Sequence, residues 1–161
     1  MLLLQIALYC LLYFLLVKCA VQNSGRNCLY FYPKAYLDEA QNRGLADKAA
    51  VMKQGKRFMT SFCLLIFAAP ILIISLWNRV ADFRTAYFQA ALFLTIVNWF
   101  DGIVIDRLWV GRSKIWAIPG MEGVPYVKPW KTILIKRTAA TVLYLILALG
   151  IAGIAVLIAR I

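Results

Sequence analysis

Residues 85–110, TAYFQAALFLTIVNWFDGIVIDRLWV, join a long apolar run to two carboxylates at its end. The run from Thr85 to Ile105 is long enough for a helix to cross the roughly 30 Å hydrocarbon core of a bilayer. Asp101 and Asp106 follow its most apolar part. Ionisable groups at membrane depth are costly unless they face protein or water. The stretch therefore predicts a membrane span with a polar site at one end.

Three further apolar runs, at about residues 2–21, 58–77 and 138–159, accompany the run at 85–105. Apolar residues make up 63% of the 161-residue chain, whereas a soluble domain is roughly half apolar. The mean hydropathy is +0.77. We therefore predict an all-α integral membrane protein, a four-helix bundle that forms a single domain over residues 1–161.

The segments between these spans are basic. Residues 18–57 contain eight Lys or Arg against three acidic residues, and residues 106–137 contain seven against two. Because cytoplasmic segments carry an excess of Lys and Arg, we expect segments 22–57 and 106–137 in the cytoplasm. Both termini are then outside. Pro33 and Gly44 are suited to begin and end a short cytoplasmic helix between the first two spans.

The formal net charge of +11 would indicate nucleic-acid binding in a soluble protein. Here the positive residues fall between apolar spans, where contact with anionic lipid headgroups accounts for them. We expect membrane lipids as partners and no nucleic acid.

The composition argues against the common catalytic arrangements. The chain has no histidine, which removes the commonest general base and the commonest metal ligand. Its four cysteines, Cys10, Cys19, Cys28 and Cys63, contain no C-x-x-C pair. We predict no catalytic residue, no metal and no cofactor, and we expect a role other than that of an enzyme.

The polar residues near Asp101 define a candidate site. At about 100° per residue, Thr95, Asn98 and Asp101 fall within about 120° of one another, and Asp106 points close to Thr95. This face should meet other helices instead of lipid. Basic residues at the cytoplasmic ends of the spans would surround it. The candidate ligand-binding residues are Asn98, Asp101, Asp106, Arg107, Arg112 and Arg137.

Two interpretations of this candidate site remain open. In the first, the protein binds or translocates an anionic amphiphile or a small anion near the cytoplasmic face, with the carboxylates orienting the basic side chains or relaying a proton. In the second, the charges form an ion-pair network that fixes the register of the helices. The protein would then be a non-catalytic structural or interaction subunit of a membrane complex.

The letters NWFDG…DR are similar to the start of the CDP-alcohol phosphotransferase signature, in which several aspartates hold a divalent metal against a pyrophosphate. Asn98 stands where that signature has its first Asp, Arg107 is one position late, and no acidic residue follows at the required spacing. The metal site cannot be assembled from these residues, so we do not assign the chain to that family.

The stretch NWFDGIVIDRLWVGRSKIWAIPG, residues 98–120, resembles small bacterial polytopic membrane proteins that share an NWFD…ID.LW…IPG pattern. The resemblance covers the third span and the loop after it. It implies a multi-pass protein of the bacterial cytoplasmic (inner) membrane, and it implies no activity and gives no residue a role.

Small residues recur at helical spacing along the last span, at Ala148, Ala152, Ala155 and Ala159. Such a seam lets another helix approach closely. It packs either within one chain or between two copies, and the sequence does not separate these alternatives. Because four helices alone form a thin bundle, we favour a homo-oligomer formed through Ala148, Ala152 and Ala155.

Overall fold

A computed structural model describes all 161 residues, and it contains helices and no strands. The four long helices are each long and apolar enough to cross a membrane. This confirms the predicted all-helical class and indicates a multi-pass membrane protein. The long helices are α1 (Leu2–Val21), α3 (Lys48–Trp77), α4 (Phe83–Arg112) and α5 (Trp130–Ala159), and the short helix α2 (Lys34–Asn42) lies between the first two.

Helix α1 coincides with the predicted first span, but the other three long helices extend beyond theirs. Hydropathy marks only the apolar part of a helix. The helix itself extends towards its N-terminus until a residue caps the first backbone N–H groups. The Asp47 carboxylate accepts from the Ala49 N–H at 2.9 Å and begins α3. The Asp82 carboxylate accepts from the Thr85 N–H at 2.8 Å and begins α4.

The longer helices change where the charged residues lie. Helix α4 continues to Arg112, so Asp106 belongs to the helix and not to a loop as the predicted segment 106–137 implied. Helix α5 begins at Trp130, directly after Pro129, and not at residue 138 as predicted. Arg137 therefore also lies on a helix. Two opposite charges that the sequence assigned to one connecting segment therefore face each other from neighbouring helices.

The core of the bundle contains buried residues from all four long helices, and within it α4 and α5 make the most extensive interhelix contact. Ala148, Ala152 and Ala155 of α5 are fully buried there, as are Ala86 and Ala90 of α4. The small-residue seam is thus covered within one chain, which is one of the two alternatives left open by the sequence. The homo-oligomer stays a prediction, although Ala148, Ala152 and Ala155, through which we expected it to form, are buried within this chain.

One end of the bundle, which we call the amide end, is joined by three side-chain amides. Asn78 donates to Gln89 at 2.8 Å and to Gln5 at 3.1 Å, and Gln5 donates back to Asn78 at 2.7 Å. Gln5 is buried, so its amide is satisfied by protein groups. These bonds join α1 and α4 to the residue that follows α3.

The opposite end, which we call the loop end, is formed by the two basic connecting segments. They contact each other directly: the Tyr32 hydroxyl donates to the carbonyl oxygen of Trp116 at 2.6 Å, and Arg43 donates to that of Gly120 at 2.8 Å. Short 3-10 turns at Gly25–Phe31 and Lys114–Trp116 bring these residues together. The side of the membrane on which this end lies stays a prediction.

The outward faces of the long helices are apolar. Leu64 of α3, Phe88 of α4, and Ile146 and Leu157 of α5 are each at least 60% exposed. Large apolar side chains at this exposure on every helix would be unfavourable in water, and they suit a surface in contact with acyl chains.

The buried seam makes a stability prediction for α5. Ala152→Leu should lower the free energy of unfolding in detergent by about 1–3 kcal/mol, because the larger side chain has no space against α4. Ala139 is an exposed alanine on the same helix, and Ala139→Leu should leave stability unchanged. Thermal unfolding of both variants checks this, and equal midpoints would show that α4 and α5 do not pack as described.

Candidate ligand-binding site

A cavity of about 70 Å³ lies at the loop end, where α1, α4 and α5 meet the two connecting segments. Its wall contains four charged side chains from α4, α5 and the last connecting segment, which we call the charge cluster. A cavity of this size has room for several water molecules or a small polar group. The charge cluster consists of Asp101, Asp106, Lys128 and Arg137.

Arg137 is the centre of the charge cluster. Its Nη2 atom lies 2.6 Å from a carboxylate oxygen of Asp101 and 2.6 Å from one of Asp106. Two carboxylates of α4 therefore share one nitrogen of a guanidinium on α5. Arg137 donates a hydrogen bond to Asp106 and forms an ion pair with Asp101. Hydrogen bonds between ionised groups are short and strong, so these contacts link α4 to α5.

Lys128 gives Asp106 a second cation. The Lys128 ammonium donates to the other carboxylate oxygen of Asp106 at 2.7 Å. Asp106 thus has two positive partners, whereas Asp101 shares its only ion pair with Asp106. With two acids and two bases, the formal charge of the cluster is zero.

Asn98 fixes the backbone behind this cluster. Its side-chain amide donates to the carbonyl oxygen of Arg137 at 2.8 Å and to the Thr141 hydroxyl oxygen at 3.0 Å. The Thr141 hydroxyl in turn donates to the Arg137 carbonyl oxygen at 2.8 Å. Asn98 is buried, so it orients the turn of α5 that carries Arg137 without facing the cavity.

A change of helix type aligns the two carboxylates. From Asp101 to Trp109, α4 has π-helical hydrogen bonding, in which each bond spans five residues. In a regular α-helix, side chains five residues apart point about 140° apart. The wider π turn brings Asp101 and Asp106 towards the same side, so that both reach Arg137. Single π turns are often found at functional sites.

Gly102 makes room for the guanidinium. A Cβ atom at this position would lie 2.8 Å from Cγ and 2.9 Å from Nε of Arg137. The Arg137 side chain therefore passes directly over the backbone of α4 on its way to the carboxylates. Any larger residue at position 102 would have to displace a side chain that two ion pairs hold in place.

Aromatic residues form much of the remaining cavity wall. Tyr13 of α1 faces Asp101, and Tyr32 and Trp116 come from the connecting segments. Burial raises the pKa of Tyr32 above its usual value, so its phenol keeps the proton that it donates to the carbonyl oxygen of Trp116. The indole N–H of Trp116 is buried and has no hydrogen-bond partner. Buried donors are usually satisfied, and this unsatisfied one belongs to a residue of the cavity wall.

The structure brings Asp101, Asp106 and Arg137 of the six predicted site residues to the cavity and places Asn98 directly behind it. It does not bring the other two there. The Arg107 guanidinium lies over the ring of Trp130, with its Cζ 5.3 Å from the ring centroid. Arg112 is exposed at the end of α4. These arginines were included because they lie at the predicted cytoplasmic ends of the spans, although the helical periodicity already directs Arg107 away from the face of Asp101.

Sequence reasoning missed Lys128, Tyr13 and Thr141 as parts of this site. Lys128 lies in a long connecting segment whose path depends on tertiary contacts, so no spacing pattern related it to Asp106. A better signal existed for Thr141, which follows Arg137 by four residues and therefore shares its face of α5. Tyr13 could have been noted as one of the polar groups that recur every fourth residue at Gln5, Tyr9 and Tyr13.

No protein-family model, no curated protein and no solved structure matches this chain. Its function is therefore inferred from the geometry of the site.

The space beside Gly102 can be tested with two matched substitutions in α4. Gly102→Ala should lower the free energy of unfolding by about 1–3 kcal/mol, because its methyl group displaces Arg137 from the carboxylates. Gly111→Ala should be neutral or stabilising by up to about 1 kcal/mol, since its Cβ would lie 3.7 Å from the nearest side-chain atom, on Val127. Denaturation in detergent measures both. Equal stabilities of the two variants would contradict the close passage of Arg137.

Proposed function

We propose that this protein binds a small anionic group in the cavity beside the charge cluster. The group is either a free anion or the headgroup of an anionic amphiphile. The observation that supports this most directly is the convergence of Lys128, Arg137 and Trp116 on one cavity, together with the absence of a hydrogen-bond partner for the Trp116 indole N–H. An ammonium, a guanidinium and an indole N–H are all donors without acceptor capacity, which suits an anion with several oxygens.

Access to the charge cluster supports a binding role. The side chains of its four members are between 13% and 22% exposed, so solutes from the loop end can reach them. Lys128 lies outside the long helices, and its flexible stem allows the ammonium to move from Asp106 to a ligand. Arg137 lies deeper and would receive the ligand at a fixed position.

The apolar part of the cavity wall suits an amphiphile as well as a free anion. Val17 of α1 and Ile105 of α4 line the cavity next to the charged groups. An acyl chain attached to a headgroup would contact such apolar side chains, whereas a free anion would use only the polar ones. We include in this proposal that the protein either only binds the anionic group or also moves it across the membrane.

For the orientation, we propose that the loop end is cytoplasmic. Both segments that form it are rich in Lys and Arg, and such segments are retained on the cytoplasmic side. The amide end and both chain termini would then lie outside. A bacterial inner membrane is the location implied by the resemblance of residues 98–120.

The competing proposal is a structural one, in which the charge cluster only fixes helix register and the protein is an interaction subunit. It is favoured by the zero net charge of the cluster, since each cation already has a carboxylate partner. Binding measurements separate the two proposals, because a purely structural cluster has no affinity for an added anion.

The binding proposal predicts a specific loss in Lys128→Met. The purified variant is titrated with methyl sulfate, and with octyl sulfate below its micellar concentration. Its dissociation constant for each probe should be at least about tenfold higher than that of the unmodified protein, equivalent to about 1.4 kcal/mol. Methionine keeps the length of the stem and removes the charge. Lys114→Met, at an exposed lysine outside the cavity, should bind both probes as the unmodified protein does.

Three outcomes of this titration are informative. Tighter binding of octyl sulfate than of methyl sulfate would identify the ligand as an amphiphile, and equal binding would identify it as a free anion. Absence of saturable binding in the unmodified protein would favour the structural proposal. Equal losses in both lysine variants would show that the effect is one of overall charge and not of this site.

The orientation is tested by labelling single cysteines with a membrane-impermeant maleimide. In a background without the four native cysteines, Asn23→Cys and Lys114→Cys should react from the same side of the membrane, and Ala81→Cys from the other. All three positions are exposed. Intact cells and inverted vesicles give the two sides, and reaction of Asn23→Cys and Lys114→Cys from opposite sides would refute the threading.

A further inference from the structure

We infer that anion binding in this cavity is coupled to the uptake of one proton by Asp101. This inference rests on the proposed function and specifies how a neutral cluster accommodates an added negative charge. The geometry behind it is the sharing of one guanidinium nitrogen by two carboxylates.

Charge balance makes the coupling necessary. The charge cluster contains two carboxylates and two cations, so a monoanion entering the cavity would leave a net charge of −1. The cluster is at most 22% exposed, and solvent therefore compensates this charge only in part. Since buried carboxylates take up a proton when they lose their ion pair, protonation of one aspartate restores neutrality.

The proton binds when the incoming anion displaces a carboxylate from Arg137. The Arg137 Nη2 atom already lies 2.6 Å from an oxygen of each aspartate. An anion can pair with this nitrogen only if one carboxylate oxygen moves away. The displaced carboxylate then loses its cation, and a proton from solution forms an O–H bond with it.

Asp101 is the carboxylate that this exchange leaves without a partner. Asp106 keeps its hydrogen bond to Lys128, whose ammonium contacts the oxygen opposite the one that faces Arg137. Asp101 has no second cation. Its protonated form would remain satisfied, because a carboxylic acid can both donate to and accept from the Tyr13 hydroxyl beside it.

The groups around Asp101 do not offer another site for this proton. The tyrosines are already protonated at neutral pH, and the lysine and the arginine are already charged. Asp106 is the single other acid, and it has two cations in contact. The titratable and charged groups that face Asp101 from the packed elements are Tyr13 of α1, Asp106 of α4, Lys128 of the last connecting segment, and Arg137 and Tyr144 of α5.

Coupling of this kind is reciprocal. If anion binding raises proton affinity at Asp101, protonation raises anion affinity by the same factor. A monoanion and a proton then occupy and leave the cavity together, and the charge of the site is zero in both states. If the anion crosses the membrane, it crosses as a neutral pair with the proton.

The test is a calorimetric titration of the full chain in detergent with methyl sulfate, which does not titrate in the neutral range. Measurement in two buffers of different ionisation enthalpy counts the protons that accompany binding. We expect one proton taken up per anion and an affinity that falls about tenfold per pH unit above neutrality, as linkage requires. Octyl sulfate serves as a second arm and should show the same proton count if the ligand is an amphiphile.

Two aspartate variants test the charge balance. Asp101→Asn resembles the protonated carboxyl group, so it should bind methyl sulfate without proton uptake and with an affinity independent of pH. Asp106→Asn also leaves the cluster with a net charge of +1, so a monoanion should restore neutrality there without proton uptake as well. Lys114→Met leaves the cluster unchanged and is the matched control, which should still take up one proton per anion. Uptake that persists in either aspartate variant would overturn the coupling.

The outcomes separate this inference from the proposed function. Saturable binding with no proton uptake in the unmodified protein would refute the coupling and leave the anion site in place. Absence of binding in the unmodified protein would refute both. Because the proton count is measured without any substitution, the result does not depend on whether either aspartate variant folds.

Discussion

The contact of Arg137 with Asp101 and Asp106 is the interaction on which this structure depends. It joins the two helices with the largest shared surface, and Asn98 orients the turn of α5 from which Arg137 extends. Removing one member of a desolvated ion pair leaves an uncompensated charge. Gly102 and the π-helical geometry of α4 are local adaptations that permit this contact.

The two ends of the bundle satisfy their polar groups by different chemistry. The amide end uses neutral hydrogen bonds among Gln5, Asn78 and Gln89, which need no counter-charge. The loop end uses ionised groups next to a cavity. Between them, Ala152 and Ala90 allow close packing with no polar group to satisfy. The amide end also carries Asp82 and Arg160, which bond to Thr85 and to the Ala81 carbonyl, but its interhelix bonds among Gln5, Asn78 and Gln89 are neutral.

The sequence was sufficient for the helical class, because length and hydropathy are properties of the chain alone. It also singled out Asn98, Asp101 and Asp106 as site candidates, since polar residues in an apolar span are conspicuous. The alignment of Asp101 with Asp106 could not be predicted, because regular helical spacing points them about 140° apart and the hydrophobic pattern carries no signal for a π turn. Lys128 was missed because the path of a loop depends on long-range contacts such as that between Tyr32 and Trp116.

The amide end has a consequence for movement across the bundle. None of the residues that line the cavity belongs to the amide end, so the cavity does not extend through the bundle to Gln5, Asn78 and Gln89. If the protein moves its ligand across the membrane as proposed, passage onward would require the bonds of Asn78 to Gln5 and Gln89 to break. The three amides would then act as a latch that joins α1 and α4 to the end of α3.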